Sequence, residues 1–147
     1  MTYTNVALFS LFYLLGMLSV DLIIDQSADE RMQVQYYCTL LQSFSTISGG
    51  LRLVPAAILL AISSILASLA SPPSSRRLHY ANVFLLAFCG LPIFVNTAMS
   101  VKDACGSGAY PASAIHQSHY AILAILMTCI VLLVISNVKV SSRTKLS

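Results

Sequence analysis

Charged residues are scarce in this chain. Lys, Arg, Asp and Glu make up 9% of its 147 residues, whereas hydrophobic residues make up 57%. Soluble globular proteins carry roughly 25% charged residues. The shortage of charge and the mean hydropathy of +0.81 exclude intrinsic disorder for the bulk of the chain. A chain this small also has too little interior to hide so many apolar side chains, so the composition predicts an integral membrane protein.

Other scarce features exclude further classes of protein. The eight Lys and Arg residues occur singly or in pairs, which excludes the basic patch of a nucleic-acid-binding protein. Four cysteines are too few for a disulfide-dense secreted module. The sequence has neither a Gly-x-Ser-x-Gly motif nor a glycine-rich phosphate loop. We therefore expect no nucleic-acid partner and no cofactor.

Four apolar stretches match the thickness of a bilayer. A hydrocarbon core about 30 Å thick takes about 20 helical residues. Apolar runs near this length lie at about 6–24, 53–70, 80–99 and 120–138. Proline and glycine separate them, and they do not alternate as barrel strands do. The sequence predicts an all-α integral membrane protein in which residues 1–147 form one domain of four transmembrane helices.

A more polar segment, about 28–47, lies between the first two runs. Its apolar residues recur at helical spacing on one face, and polar residues occupy the opposite face. The apolar face holds Val34, Tyr37, Leu41 and Phe44, and the polar face holds Gln35, Thr39, Gln42 and Thr46. Ser27 followed by Glu30 has the form of a capping box at the start of a helix. We predict an amphipathic helix at the membrane surface.

The basic residues indicate an orientation. With four crossings, five of them (Arg76, Arg77, Lys139, Arg143 and Lys145) share the side of the two termini, and three lie on the other side. This bias predicts both termini on the cytoplasmic side, or on the matrix side of a mitochondrial membrane. The organelle itself is not specified.

Three polar residues within the runs are candidate site residues. Asp21 lies near the end of the first run, and Asn82 and Asn96 lie at heptad spacing on one face of the third. Carboxylates and amides in hydrocarbon need partners. We predict a polar intramembrane stripe of Asp21, Asn82 and Asn96, which either bonds neighbouring helices or lines a solute path. Asp21 has an alternative role as an ion-pair partner of Arg31 or Arg52 at the membrane surface.

The cysteines and histidines provide two further candidates. Cys38 and Cys105 fall on the same predicted non-cytoplasmic side, where an oxidising compartment would allow a disulfide. His116 and His119 share a helix face and are candidate metal ligands. The motifs that usually accompany such ligands are missing, so we predict no metal centre.

Three functions are compatible with these features. Packing features outnumber reactive groups, which favours a non-enzymatic tetraspan that acts as a structural, assembly or accessory subunit of a membrane complex, with the lipid bilayer and other membrane subunits as partners. The first alternative is a small transporter or channel component with a path lined by Asp21, Asn82 and Asn96. The second is a membrane-embedded enzyme that acts on a lipid or quinone through His116, His119 and Asp103.

Overall fold

The computed structural model describes residues 2–27, 29–45, 47–107 and 112–144. All regular elements in these ranges are helical, as predicted. They are α1 (Tyr3–Asp25), α2 (Glu30–Ser45), α3 (Ile47–Ala70), α4 (Pro73–Phe84), α5 (Leu91–Ser107) and α6 (Ala112–Thr144). A π-helical segment, Leu85–Gly90, joins α4 to α5 without a break.

Three of the continuous helices are long and apolar enough to cross a bilayer, among the residues described. They are Tyr3–Asp25, Ser75–Gly106, which runs from α4 through the π segment into α5, and Ala112–Val138. The prediction of helices long and apolar enough to span a membrane is therefore confirmed for these three. Helix α3 has 24 residues, but its apolar stretch within the described residues is the shorter Leu59–Ala70. The fourth crossing remains a prediction.

The long helices pack side by side, and the larger of two apolar clusters is a layer of buried side chains from α1, α3 and α6. Helix α1 contacts α3 and α6, and α4 contacts the same two helices. The layer between them contains eight buried side chains: Ala7, Leu11, Leu18, Leu60, Leu126, Cys129, Ile130 and Leu133. We call the bundle end with Asp25, His119 and α2 the Asp25 end, and the opposite end, with Thr2, Ser71 and Ser136, the His79 end.

Helix α2 lies at the Asp25 end, where it contacts α3 and α5. Its first turn is capped by Asp29, whose Oδ1 accepts hydrogen bonds from the backbone N–H groups of Arg31 (3.0 Å) and Met32 (3.4 Å). The expected cap pair of Ser27 and Glu30 is therefore wrong: the helix begins at Glu30, because Asp29 satisfies the free N–H groups. The predicted helix limits, residues 28 and 47, also differ, and residues 28 and 46 lie outside the described ranges.

The π segment has a local cause in Pro92. Proline has no backbone N–H and its ring collides with the carbonyl four residues earlier, here Phe88. Just before it, the N–H of Leu91 bonds to the carbonyl of Leu86, five residues back, instead of four. The wider turn thus accommodates the proline without ending the helix. It also adds one residue to the turn, which rotates everything after it by about 100° relative to a regular α-helix.

Candidate functional site

The Asp25 carboxylate is the centre of a buried polar cluster at the Asp25 end. Its side chain is 3% exposed, and each of its oxygens has a short contact. The Tyr37 hydroxyl donates to Oδ1 at 2.6 Å, and Nδ1 of His119 lies 2.6 Å from Oδ2. The rings of Tyr37 and His119 are 5.7 Å apart. The cluster therefore joins α1, α2 and α6 through one carboxylate.

The position of Asp25 makes these partners necessary. It is the last residue of α1, where the helix dipole is negative and disfavours a carboxylate. Burial removes the water that would otherwise solvate it. Two short hydrogen bonds compensate for the lost solvation, because hydrogen bonds to an ionised group are stronger than those between neutral groups. The hydrogen bonds of the Asp25 cluster run between helices, so they hold α2 against the bundle.

Gln33 satisfies the carbonyl end of α1. Its Nε2 donates to the backbone oxygens of Asp25 (3.2 Å) and Ser27 (2.6 Å). The last carbonyls of a helix have no partner within the helix. Gln33 thus caps the last carbonyls of α1. This role explains why a polar residue is buried on the helix face that was predicted to be apolar.

Asp21 is bonded to α2 one turn before Asp25. The Tyr36 hydroxyl donates to its Oδ1 at 2.9 Å. Burial raises the pKa of the Tyr36 hydroxyl, and the nearby carboxylate of Asp21 raises it further. Two arginines were expected as ion-pair partners of Asp21. Arg31 is exposed, and the side chain of Arg52 is not among those that the structure describes. Asp21 thus holds α2 against α1, as Asp25 does.

His116 and His119, the candidate metal ligands, both approach Asp25. Nε2 of His116 lies 3.6 Å from Oδ1 of Asp25, too far for a hydrogen bond. Within the described residues, no group of three or more His, Cys, Asp or Glu side chains is arranged to hold a metal ion. Both histidines thus approach the carboxylate of Asp25, a partner that the sequence did not predict for them.

Cys38 and Cys105 are joined by a disulfide in the structure, with their Cα atoms 5.8 Å apart. This distance lies within the normal range for disulfides. The bond connects α2 to the end of α5. A covalent link and the Asp25 cluster therefore both hold α2 at the same end of the bundle.

The three residues of the expected polar stripe lie in different places. Asp21 is at the Asp25 end, Asn82 is fully buried, and Asn96 is exposed on α5. In a regular α-helix Asn82 and Asn96 would be about 40° apart, but the extra residue of the π segment makes this about 140°. The structure therefore does not bring the stripe together. On α3, Ser64 and Ser68 are buried, whereas Ala57 and Ala61 are exposed.

A second polar cluster lies at the His79 end. Ser75, His79 and Asn82 follow one another at spacings of four and three residues and are all at least 99% buried. His79 Nε2 lies 2.8 Å from the Ser136 hydroxyl oxygen on α6. Sequence analysis missed this cluster, although the helical spacing of its members was the available signal. The Asp25 cluster left no such signal, because its members are far apart in the chain.

The apolar layer separates the two clusters. Leu11, Leu126 and Leu133 are among its buried side chains, between Asp25 at one end and His79 at the other. Each cluster therefore acts at its own end of the bundle.

Comparison with protein-family models, with curated proteins and with solved structures finds no match for this chain. The functional argument therefore depends on the arrangement of its own residues.

Proposed function

We propose that this chain is a non-enzymatic tetraspan that acts as a structural, assembly or accessory subunit of a membrane complex. In this proposal α1, α3, the continuous α4–α5 helix and α6 are the four spans. Helix α3 supports the fourth crossing by its length, since its 24 residues extend about 36 Å, more than the roughly 30 Å of a hydrocarbon core. Helix α2 is the interfacial helix, with Gln35, Thr39 and Gln42 on its exposed face.

The observation that carries the proposal is the exposed amide of Asn96. It lies about 8 Å from the midpoint of the Ser75–Gly106 helix, well inside a core about 30 Å thick. Within the described part of the chain, no hydrogen bond to its side chain is found. An amide without partners in hydrocarbon costs roughly 4–8 kcal/mol relative to water. A polar group on a neighbouring membrane helix would remove this cost.

The surface around Asn96 is large and apolar. Phe88, Leu91, Val95 and Met99 are all exposed near it. Only 6% of the most apolar stretch of Ser75–Gly106 is buried, compared with 22% for each of the other two spanning helices. Of these three helices, α4–α5 therefore has the most surface left for a neighbour, and Asn96 gives that surface one specific hydrogen-bonding position.

The test is assembly of an Asn96→Leu variant. We expect the tagged wild-type chain to migrate with other subunits on native gels after mild detergent extraction, and to cross-link to them in native membranes. Asn96→Leu should shift to a smaller species. Asn96→Gln, which keeps the amide, should retain the complex.

Thr128→Val is the matched control. Thr128 is also exposed within a span, but its hydroxyl donates to the carbonyl of Ala124 at 2.8 Å and needs no external partner. Its variant should assemble normally. A wild-type chain that purifies as a lone monomer would contradict the proposal. Normal assembly of Asn96→Leu with loss of a transport activity would instead favour a transporter or channel component.

A further inference from the structure

A groove of about 430 Å³ opens at the His79 end. Its walls come from the start of α1, the end of α3, the start of α4 and the last part of the α6 span. Thr2, Ala70, Ser71, His79 and Ser136 are among the lining residues. The groove is therefore an indentation between four helices, with polar and apolar walls.

Polar atoms without partners lie beside and behind this groove. His79 is 99% buried, and its Nδ1 has no hydrogen-bond partner. Asn82 lies about one turn deeper on the same face of α4, and neither its Oδ1 nor its Nδ2 has a partner. Buried polar groups are nearly always bonded in folded proteins, so the unpartnered Nδ1 of His79, which lines the groove, points to a ligand that supplies the missing atom.

The groove lies at the depth of lipid headgroups. His79 is about 17 Å from the midpoint of the Ser75–Gly106 helix, and Ser136 is about 17 Å from the midpoint of Ala112–Val138. The hydrocarbon core extends about 15 Å from the bilayer centre, and the headgroup region extends to about 20–22 Å. Ester carbonyls and phosphates of phospholipids belong to this interval.

A positive charge lies next to the groove wall. Nη2 of Arg76 donates to the carbonyl of Ser71, a lining residue, at 3.3 Å, and its buried Nε has no partner. Among the described residues, no carboxylate forms an ion pair with Arg76. At about 22 Å from the helix midpoint, Arg76 lies farther out than His79, at the depth of a lipid phosphate.

We propose that this groove binds the headgroup of an anionic phospholipid. Arg76 contacts the phosphate, and His79 donates to an ester carbonyl oxygen below it. Along the membrane normal Arg76 lies farther out than His79, just as the phosphate of a phospholipid lies farther out than its ester carbonyls. Basic pockets between membrane helices commonly recognise anionic headgroups in this way.

The test is native mass spectrometry of the full chain in nanodiscs. The probes are phosphatidylglycerol and phosphatidylcholine, which differ in net charge, and inorganic phosphate. We expect the wild-type chain to retain phosphatidylglycerol in preference to phosphatidylcholine. Arg76→Gln should weaken retention by about tenfold or more, because it removes a charge-assisted contact.

Arg77→Gln is the matched control, since Arg77 carries the same charge at almost the same depth but is exposed. It should retain the lipid within about twofold of wild type. A groove-filling Ala70→Phe variant, which leaves all polar groups in place, should lose the lipid. If this variant fails to fold, the comparison of Arg76→Gln with Arg77→Gln decides.

Three outcomes would overturn the proposal. Equal losses in the two arginine variants would indicate non-specific surface attraction. Equal retention of the two lipids would show that the anionic charge is not recognised. Displacement of the lipid by inorganic phosphate at similar concentration would assign the site to a free anion.

Discussion

Replacing Asp25 by alanine should destabilise the bundle more than any surface substitution at the same end. The change removes the acceptor of two hydrogen bonds of 2.6 Å, from Tyr37 and His119. The Tyr37 hydroxyl keeps a longer bond to the backbone oxygen of Asp21 (3.2 Å). Hydrogen bonds to charged groups contribute about 1.5–3 kcal/mol each. Because two such bonds are lost, we expect the free energy of unfolding to fall by about 3–5 kcal/mol.

The measurement is unfolding of the full chain in mixed micelles by added sodium dodecyl sulfate, followed by circular dichroism. Glu30→Ala is the control, because Glu30 is an exposed carboxylate at the same end, and its effect should be within about 0.5 kcal/mol. Asp25→Asn should be less damaging than Asp25→Ala, since its amide oxygen still accepts from Tyr37. The His119→Ala and Asp25→Ala effects should add to more than that of the double variant, because the two residues share one bond.

Two results would refute this reasoning. One is an Asp25→Ala effect no larger than that of Glu30→Ala, which would mean that the Asp25 cluster contributes nothing to stability. The other is full additivity of the Asp25 and His119 variants, which would mean that the two side chains do not interact.

Two further predictions concern the attachment of α2. Replacing Cys38 and Cys105 by serine should lower the free energy of unfolding by about 4 kcal/mol, the chain-entropy value for a sequence separation of 67 residues, and an unchanged unfolding curve would contradict this. Because the folded state raises the pKa of Tyr36, its stabilising contribution is complete below the ordinary value of 10.0 and decreases as the pH rises above it. Tyr36→Phe should therefore lose less stability than wild type between about pH 9 and pH 11 in the same assay, and equal losses would contradict the assignment.

Composition and apolar run length predicted the helical, membrane-type fold. The hydrocarbon core imposes a length on each span, and this length is readable without knowing any contact. The ends of helices were also predictable where a proline stops a helix. Pro72 is an example, because α3 ends just before it, at Ala70. The start of α2 was less accurate, because Ser27 and Asp29 are both good capping residues and only the backbone path selects between them.

The Asp25 cluster was not predictable in the same way. Asp25 and His119 are separated by 94 residues, and no local pattern marks them as partners. Asn82 and Asn96 lie on different faces for another reason: a regular period of 3.6 residues was assumed through Leu85–Gly90, where the helix widens. Periodicity predicts which residues share a face only as long as the number of residues per turn stays constant.

The π segment makes the α4–α5 helix tolerant of the loss of a single codon within it. If one residue between Leu85 and Gly90 were deleted and the turn returned to the ordinary pitch, the two changes in angle, each about 100°, would cancel. Asn96 would then keep its exposed position and Thr97 its buried one. The same deletion elsewhere in the helix would instead turn the half that follows by about 100° and exchange the chemical groups shown to lipid and to the interior.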